Sequence, residues 1–127
     1  MWLEDVSERV IGAAIAVHRE LGPGLLESVY ELALAQEFTA RCIPFERQKA
    51  VPIRYKGLVM DAGFRLDFLV DGSVVVELKS VERVLDIHRA QVLTYMKLTG
   101  CHVGLLLNFN VTALKTGIHR YVHQAPE

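Results

Sequence analysis

Two runs of β-forming residues flank an Asp-Gly pair between Phe64 and Ser80, and this stretch constrains the fold more than any other part of the chain. An Asp-Gly turn between two such runs predicts an antiparallel hairpin. Because side chains alternate between the two faces of a strand, Asp67, Glu77 and Lys79 share one face. The opposite, apolar face is predicted to consist of Phe64, Leu66, Phe68, Val70, Val74, Val76 and Leu78.

The loop of this hairpin decides which residues lie opposite each other. The two apolar runs bury on the same side of the sheet only for one parity of the register. A three-residue loop over residues 70–72 gives that parity by pairing Leu69 with Ser73, and an equivalent bulge would do the same. In this register Asp67 lies opposite Val75 and about 5 to 8 Å from Glu77.

Two carboxylates this close repel each other unless a cation lies between them. A hard divalent ion such as Mg²⁺ fits, because it binds one or two carboxylates together with substrate phosphate oxygens. Lys79 would place an ammonium group beside the ion, where it could position water and stabilise developing phosphate charge. The alternative is a solvated sheet face, on which acids and a lysine are common.

The composition favours a single globular domain over residues 1–127, since 51% of the residues are hydrophobic and 23% are charged. No apolar run approaches the roughly 20 residues of a membrane span, and the N-terminus lacks the pattern of a signal peptide, so we expect a cytoplasmic protein that does not cross a membrane. Cys42 and Cys101 have no zinc-site spacing. Because the protein has a net charge of -1, binding of nucleic acid would require a local basic patch or a metal ion.

The order of elements predicts a mixed α/β fold. Amphipathic periodicity and stop signals indicate helices at 5–21, 25–41 and 85–99. The apolar stripes are predicted to contain Val6, Val10, Ala13, Ala14 and Val17 in the first helix, Leu26, Val29, Tyr30, Ala33, Leu34 and Phe38 in the second, and Ile87, Ala90, Leu93, Thr94 and Met96 in the third. Strands are predicted at 43–56, 59–70, 74–79, 102–109 and 118–123, with the proline-containing first strand at an edge and the third and fourth strands parallel.

Three further features have a structural as well as a functional interpretation. Glu27 lies in the first turn of the second helix, where an acid is favourable for the helix dipole alone. Gln91 shares a helix face with His88 and Tyr95 and could reach a phosphate or a water, although His88 could equally be a cap. Five basic residues could line an approach for phosphates, but protection of an edge strand by charge is the commoner explanation. They are Arg41, Arg47, Lys49, Arg54 and Lys56.

This arrangement resembles the core of the PD-(D/E)XK nuclease superfamily, and the segment from Gly24 to Tyr30 looks like the namesake motif of its GxxExxY family. The resemblance covers nearly the whole chain. It also rests on Tyr55-Lys56-Gly57, Arg65-Leu66-Asp67, Val76-Glu77-Leu78-Lys79, residues 90–95, Leu98-Thr99-Gly100 and Asn108-Phe109-Asn110. One departure is Leu66, which stands where the family motif has a proline.

The resemblance implies a restriction-endonuclease-like αβββαβ core, with helices packed on the faces of a mixed sheet and an extra N-terminal helix. It also implies a site in which Asp67, Glu77 and the Leu78 carbonyl bind Mg²⁺ or Mn²⁺. Lys79 would serve the nucleophilic water, Glu27 would assist the metal or the water, and Gln91 would be the polar residue of the following helix. The implied activity is hydrolysis of phosphodiester bonds in nucleic acid, most often DNA, by metal-activated water.

A second function of a different class stays open at this point. The domain could keep the nuclease-like fold as a non-catalytic nucleic-acid-binding or assembly module. A compact domain of this size offers little surface for gripping a duplex unless it forms a homodimer or binds a partner.

Overall fold

The computed structural model describes residues 3–61 and 64–123. Within these ranges the helices are α1 (Leu3–Leu21), α2 (Glu27–Ala40) and α3 (Asp86–Thr99). The strands are β1 (Phe45–Ala50), β2 (Ile53–Tyr55), β3 (Leu58–Met60), β4 (Arg65–Val70), β5 (Val74–Lys79), β6 (Val103–Asn108) and β7 (Ile118–Val122), and a 3-10 helix (Leu114–Gly117) precedes β7. The strand predicted at 59–70 is divided into β3 and β4, and residues 62 and 63 of that prediction lie outside the described residues.

Five strands form one mixed sheet in the order β1-β4-β5-β6-β7. The β5–β6 pair is parallel, as expected for two strands joined by a helix, and the other neighbours are antiparallel. The predicted mixed α/β class is therefore confirmed, and β1 lies at an edge as its prolines indicated. Strands β2 and β3 form a separate two-stranded hairpin. In the part of the chain that the structure covers, no helix has the length and apolarity needed to cross a membrane.

Two hydrophobic clusters cover the two faces of the main sheet. One cluster joins α1 and α2 to β4, β5 and β6, and the predicted α1 stripe from Val6 to Val17 is buried in it. The other joins Val92 and Met96 of α3 to Val75 and Leu106 of the sheet. All six residues of β6 are buried, which confirms the strand predicted to be covered on both faces.

The predicted stripe of α2 is correct only from Tyr30 onward. Tyr30, Leu34 and Phe38, spaced four residues apart, are fully buried, whereas Leu26 is 74% exposed and Val29 is also exposed. Leu26 has extended backbone angles at the helix N-cap. Its side chain therefore does not lie on the apolar stripe that the helical spacing predicts.

The contact face of α3 differs from the predicted one except at Met96, which was predicted to be apolar contact and is fully buried. Val92 and Met96 are buried, whereas Ile87 and Leu93 are exposed. The reason lies in β6, because a Cβ atom on Gly104 would fall only 2.5 Å from Met96 Sδ and 2.8 Å from Val92 Cγ1. The helix thus packs into a hollow left by a glycine, and helical periodicity alone does not indicate that hollow.

The hairpin between β4 and β5 has the predicted parity but a register shifted by two residues. Val70 pairs with Val74 and Leu69 with Val75, instead of Leu69 with Ser73. Asp71 and Gly72 have φ values of 51° and 64°, and Ser73 N–H donates to the Val70 carbonyl at 3.0 Å. The turn is therefore the two residues Asp71-Gly72, and Ser73 is a bulge that restores the parity.

The predicted alternation along β4 is interrupted at Asp67. Phe68 and Val70 pack with α1 and α2, but Leu66 packs in the cluster of α3 and Phe64 is exposed. Across from Asp67, Gln48 has a left-handed φ of 51°, and the β1–β4 pairing passes from Arg47–Phe68 to Lys49–Leu66 without it. The irregular backbone at this point allows Leu66 and Phe68 to pack on opposite faces of the sheet, although they are two residues apart on one strand.

Candidate functional site

Asp67 and Glu77 come together where the main-chain ladder between β4 and β5 ends. The last pair of this ladder is Phe68 with Val76, so the same register brings Asp67 level with Glu77. Beyond that pair, the Asp67 N–H donates to Glu77 Oε1 at 2.9 Å, and the Leu78 N–H donates to Asp67 Oδ2 at 2.8 Å. Each carboxyl group therefore accepts a backbone hydrogen bond from the neighbouring strand, and the two acids are fixed on one side of the sheet.

Burial controls the protonation of this acid pair. Glu77 is only 7% exposed, and burial followed by the charge of Asp67 raises its pKa to about 9. Burial is also the main reason that the pKa of Asp67 is raised, and the charge of Glu31 adds to it. Burial and the negative charge of Asp67 both oppose ionisation of Glu77, so a bound proton or another cation is needed to offset charge on this pair.

A third acid, Glu31, lies beside the pair and was missed at the level of sequence. Gln48 Nε2 donates to Glu31 Oε1 and also to Asp67 Oδ1, the latter at 3.2 Å. Arg47 holds the other oxygen of Glu31 at 2.7 Å. A signal for Glu31 was present, because it follows Glu27 by one helical turn. We find no such signal for Gln48.

Lys79 follows two residues after Glu77 and is half-buried at the end of β5. Its carbonyl accepts the Phe109 N–H at 2.9 Å, and its positive charge lowers the pKa of Glu77 against the larger effect of burial. Asn108, paired with Lys79 on β6, binds both the N–H and the carbonyl of Val81 through its side chain. The chain leaving β5 is thereby fixed, and Lys79 has no acidic ion-pair partner among the residues that the structure describes.

Helix α3 faces the acids through Tyr95. Burial, and then the charges of Glu77 and Asp67, raise the pKa of the Tyr95 hydroxyl, which donates to the Arg65 carbonyl at 3.2 Å. Gln91 lies one turn earlier on α3 and is exposed, and its predicted role stays a prediction. His88 accepts the Leu85 N–H at 3.0 Å, so the capping interpretation of this histidine is correct.

Glu27 is exposed at the first residue of α2, one turn from Glu31. The loop before it is fastened by Tyr30, whose hydroxyl donates to the Gly22 carbonyl at 2.5 Å and accepts the Leu25 N–H at 3.2 Å. Ser80 donates to the Leu25 carbonyl at 2.6 Å. The start of α2 is thus tied to the end of β5, next to Lys79.

The donors gathered here fit a hard divalent cation. Within residues 3–61 and 64–123 no group of three His, Cys, Asp or Glu side chains forms a ready-made metal centre. The half-buried Asp67 and the buried Glu77 are nevertheless two neighbouring oxygen donors, and their burial favours a positive charge beside them. Mg²⁺ typically takes one or two protein carboxylates and leaves its other positions to water and substrate phosphate, so a two-carboxylate site suits it.

Comparison with known proteins agrees with this fold. A sequence model described as the PD-(D/E)XK nuclease superfamily matches residues 4–121. No curated protein sequence matches the chain. A solved structure described as the crystal structure of SSO0001 aligns with a TM-score of 0.54 at 19% identity, over 97% of this chain and 60% of that chain. This chain therefore spans about three-fifths of SSO0001, and the likeness shows a shared fold.

The family match includes both acid-bearing strands, the helix before them and the helix after them. It extends over nearly all of the chain and agrees with the mixed sheet and with the order of the helices around it. The chain belongs to the PD-(D/E)XK nuclease superfamily.

Proposed function

We propose that this protein is a metal-dependent nuclease that hydrolyses phosphodiester bonds in nucleic acid, with DNA as the substrate. The observation that carries the proposal is the convergence of the half-buried Asp67 carboxyl group with the buried Glu77 carboxyl group, with Lys79 at the end of the strand that carries Glu77. Membership of a nuclease superfamily supports it. We further propose that residues 1–127 act as one domain, in the cytoplasm, and that a homodimer would enlarge its small surface for a duplex.

Asp67, Glu77 and the Leu78 carbonyl would hold Mg²⁺ or Mn²⁺. When bound, such an ion would act as a Lewis acid toward the phosphate and would promote ionisation of water. Asp67 would bind the ion only in its ionised form, and the hydrogen bond that its carboxylate accepts from the Leu78 N–H favours that form. Glu77 must give up its proton before it can bind a cation.

Lys79 would contribute a positive charge beside the scissile phosphate. In a partly buried site a preorganised ammonium stabilises the charge that develops on phosphate oxygens more strongly than it would in water. Glu27 and Gln91 would act from opposite sides, Glu27 on the water or the metal and Gln91 on a water or a phosphate oxygen. Glu31 is the acid of α2 whose hydrogen bonds reach Asp67 through Gln48, and we add it to the proposed site as a positioning residue.

We also propose that the protein is a member of the GxxExxY family within the superfamily. The spacing of Gly24, Glu27 and Tyr30 supports this assignment. The hydroxyl of Tyr30 binds the backbone on both sides of Gly24, at Gly22 and Leu25. The motif tyrosine thus has a structural role in holding this loop.

The test is cleavage of labelled single-stranded and double-stranded DNA and RNA with Mg²⁺, with Mn²⁺ and with EDTA. Asp67→Asn and Lys79→Ala should each lower the metal-dependent rate by at least about a hundredfold, as the loss of one preorganised electrostatic group does in other enzymes. Glu46→Gln and Lys115→Ala change exposed residues away from the acid pair and should leave the rate unchanged. Activity that survives both site changes would refute the assignment, and binding without cleavage would indicate a non-catalytic module.

A further inference from the structure

Strands β2 and β3 form an arm that stands apart from the main sheet. The arm consists of residues 53–60, in which Ile53 pairs with Met60, Arg54 with Val59 and Tyr55 with Leu58. Neither strand pairs with the five-stranded sheet. The Val51 N–H donates to the Phe64 carbonyl at 2.9 Å, directly beyond the Ala50–Arg65 pair of β1 and β4. The arm is thus an extension of the strand that carries Asp67.

The arm exposes large apolar and aromatic side chains on both of its faces. Tyr55 is 60% exposed and Leu58 is 59% exposed, and because they are paired across the hairpin they lie on one face. Val59 is 52% exposed on the other face. The ammonium of Lys56 lies 5.4 Å from the centre of the Tyr55 ring. The tip of the arm therefore presents an open aromatic surface with a cation beside it.

The structure separates the five basic residues of this region into two groups. Arg41 at the end of α2 and Arg47 and Lys49 on the edge strand β1 form ion pairs with Glu37, Glu31 and Glu46. Arg54 and Lys56 form no ion pair with any residue that the structure describes. The unpaired cations of this stretch are therefore on the arm, where they are available to an anionic partner.

The base of the arm adjoins the strand that carries Asp67. Arg65, at the base of the arm, precedes Asp67 by two residues, which is about 7 Å along an extended strand. The Tyr95 hydroxyl binds the Arg65 carbonyl, so the base of the arm is fixed against α3 on the side of the acids. A chain of phosphates that reached Asp67 and Glu77 past Arg65 would meet the arm within a few nucleotides.

Resting on the proposed nuclease function, we propose that the arm binds a single-stranded segment of nucleic acid next to the acid pair. Bases stack on the exposed ring of Tyr55, while Arg54 and Lys56 bind the flanking phosphates. Aromatic stacking platforms combined with cations are the means by which proteins bind unpaired strands. In a duplex the faces of the bases are covered by their neighbours, so the Tyr55 ring selects an unpaired strand.

The experiment is fluorescence anisotropy in EDTA, so that binding is measured without cleavage. The probes are a labelled 15-nucleotide single strand of DNA, the same sequence as RNA, and the DNA duplex. Tyr55→Ala should weaken binding to single strands by about 5- to 100-fold, and Tyr55→Phe should keep it. Arg54→Gln combined with Lys56→Gln should lower the slope of log affinity against log salt by about 1.4, at about 0.7 for each phosphate contact.

Matched control variants lie elsewhere on the surface. Leu32→Ala removes an exposed apolar side chain of α2, and Arg19→Gln with Lys115→Gln removes two exposed cations; both should bind as the unchanged protein does. The proposal is overturned if Tyr55→Ala binds single strands normally, if the unchanged protein binds none of the probes, or if the variants weaken duplex binding equally. Arm-dependent binding by a protein that cleaves nothing would refute the nuclease function alone.

Discussion

The backbone N–H of Asp67 donates a hydrogen bond to Oε1 of Glu77 at 2.9 Å. In return, the Asp67 carboxyl group accepts the N–H of Leu78, the residue after Glu77. These contacts take the place of main-chain pairing at the end of the β4–β5 ladder. The two acids therefore contribute to the fold as well as to the proposed chemistry, and a change in their ionisation should be visible in stability.

We predict that the metal-free protein loses stability as the pH rises and that Glu77→Gln reduces this loss. The ordinary pKa of Glu77 is 4.5, and in the folded protein burial and Asp67 raise it to about 9. Between these values the folded state holds a proton that the unfolded state has lost, so the free energy of unfolding falls as the pH rises. Glutamine mimics the protonated acid, and from pH 5.5 to 8.5 the variant should gain at least about 1 kcal/mol relative to the unchanged protein.

Urea denaturation in EDTA at several pH values measures this difference. Glu46→Gln makes the same chemical change at an exposed position that pairs with Lys49, and its pH dependence should match that of the unchanged protein. Parallel stability curves for Glu77→Gln and the unchanged protein would show that Glu77 is ionised in the folded state.

A second prediction concerns the two residues beside Asp67. Glu31→Gln removes a negative charge that raises the pKa of Asp67, so the pKa should fall. Gln48→Ala removes a hydrogen-bond donor to the ionised carboxylate, so the pKa should rise. NMR titration of the Asp67 carboxyl carbon measures both shifts. Gln36→Ala changes an exposed glutamine on α2 and is the matched control. Shifts of equal sign in the two variants would contradict the proposed network.

Much of this fold could be predicted from the sequence because local patterns and tertiary contacts agree. The apolar spacing in α1, the Asp-Gly turn and the continuous apolar run of β6 all led to the observed elements. The register of β4 and β5 could not be fixed in the same way, because two loops of equal parity satisfy the same alternation. Only the bulge at Ser73 decides between them, and its consequence is that Asp67 lies level with Glu77 and not with Val75.

The candidate site was predictable where its residues lie on one hairpin. Asp67, Glu77 and Lys79 share a face by strand periodicity alone. Gln48 and Glu31 come from an edge strand and a helix, and their approach to Asp67 depends on the left-handed backbone of Gln48. Glutamine rarely adopts such a conformation, so the sequence pattern does not indicate it.

The hydroxyl of Tyr30 should be worth more to stability than an ordinary surface group. It donates to Gly22 and accepts from Leu25, and the ring stacks on Phe109 with centroids 4.5 Å apart. Tyr30→Phe keeps the stacking but leaves both backbone groups without this partner, which should cost about 1 to 3 kcal/mol. Tyr55→Phe removes an exposed hydroxyl and should stay within about 0.5 kcal/mol of the unchanged protein. Equal urea midpoints for the two variants would show that the Tyr30 hydroxyl does not secure the loop.

The packing of α3 on β6 can be tested by comparing two glycine-to-alanine substitutions, Gly104→Ala and Gly12→Ala. Gly104→Ala would place a methyl group 2.5 Å from Met96 Sδ and 2.8 Å from Val92 Cγ1. Because both side chains are fully buried, the helix must shift, and the substitution should cost about 1 to 3 kcal/mol of unfolding free energy.

Gly12→Ala is the control. The added methyl lies 3.4 Å from the end of the exposed Arg41 side chain, within a helix that alanine favours by up to about 1 kcal/mol. Thermal denaturation should therefore give a lower Tm for Gly104→Ala and an equal or higher Tm for Gly12→Ala. The opposite order would mean that α3 does not rest in the glycine hollow, and Tyr95 would then lose its fixed position beside the acids.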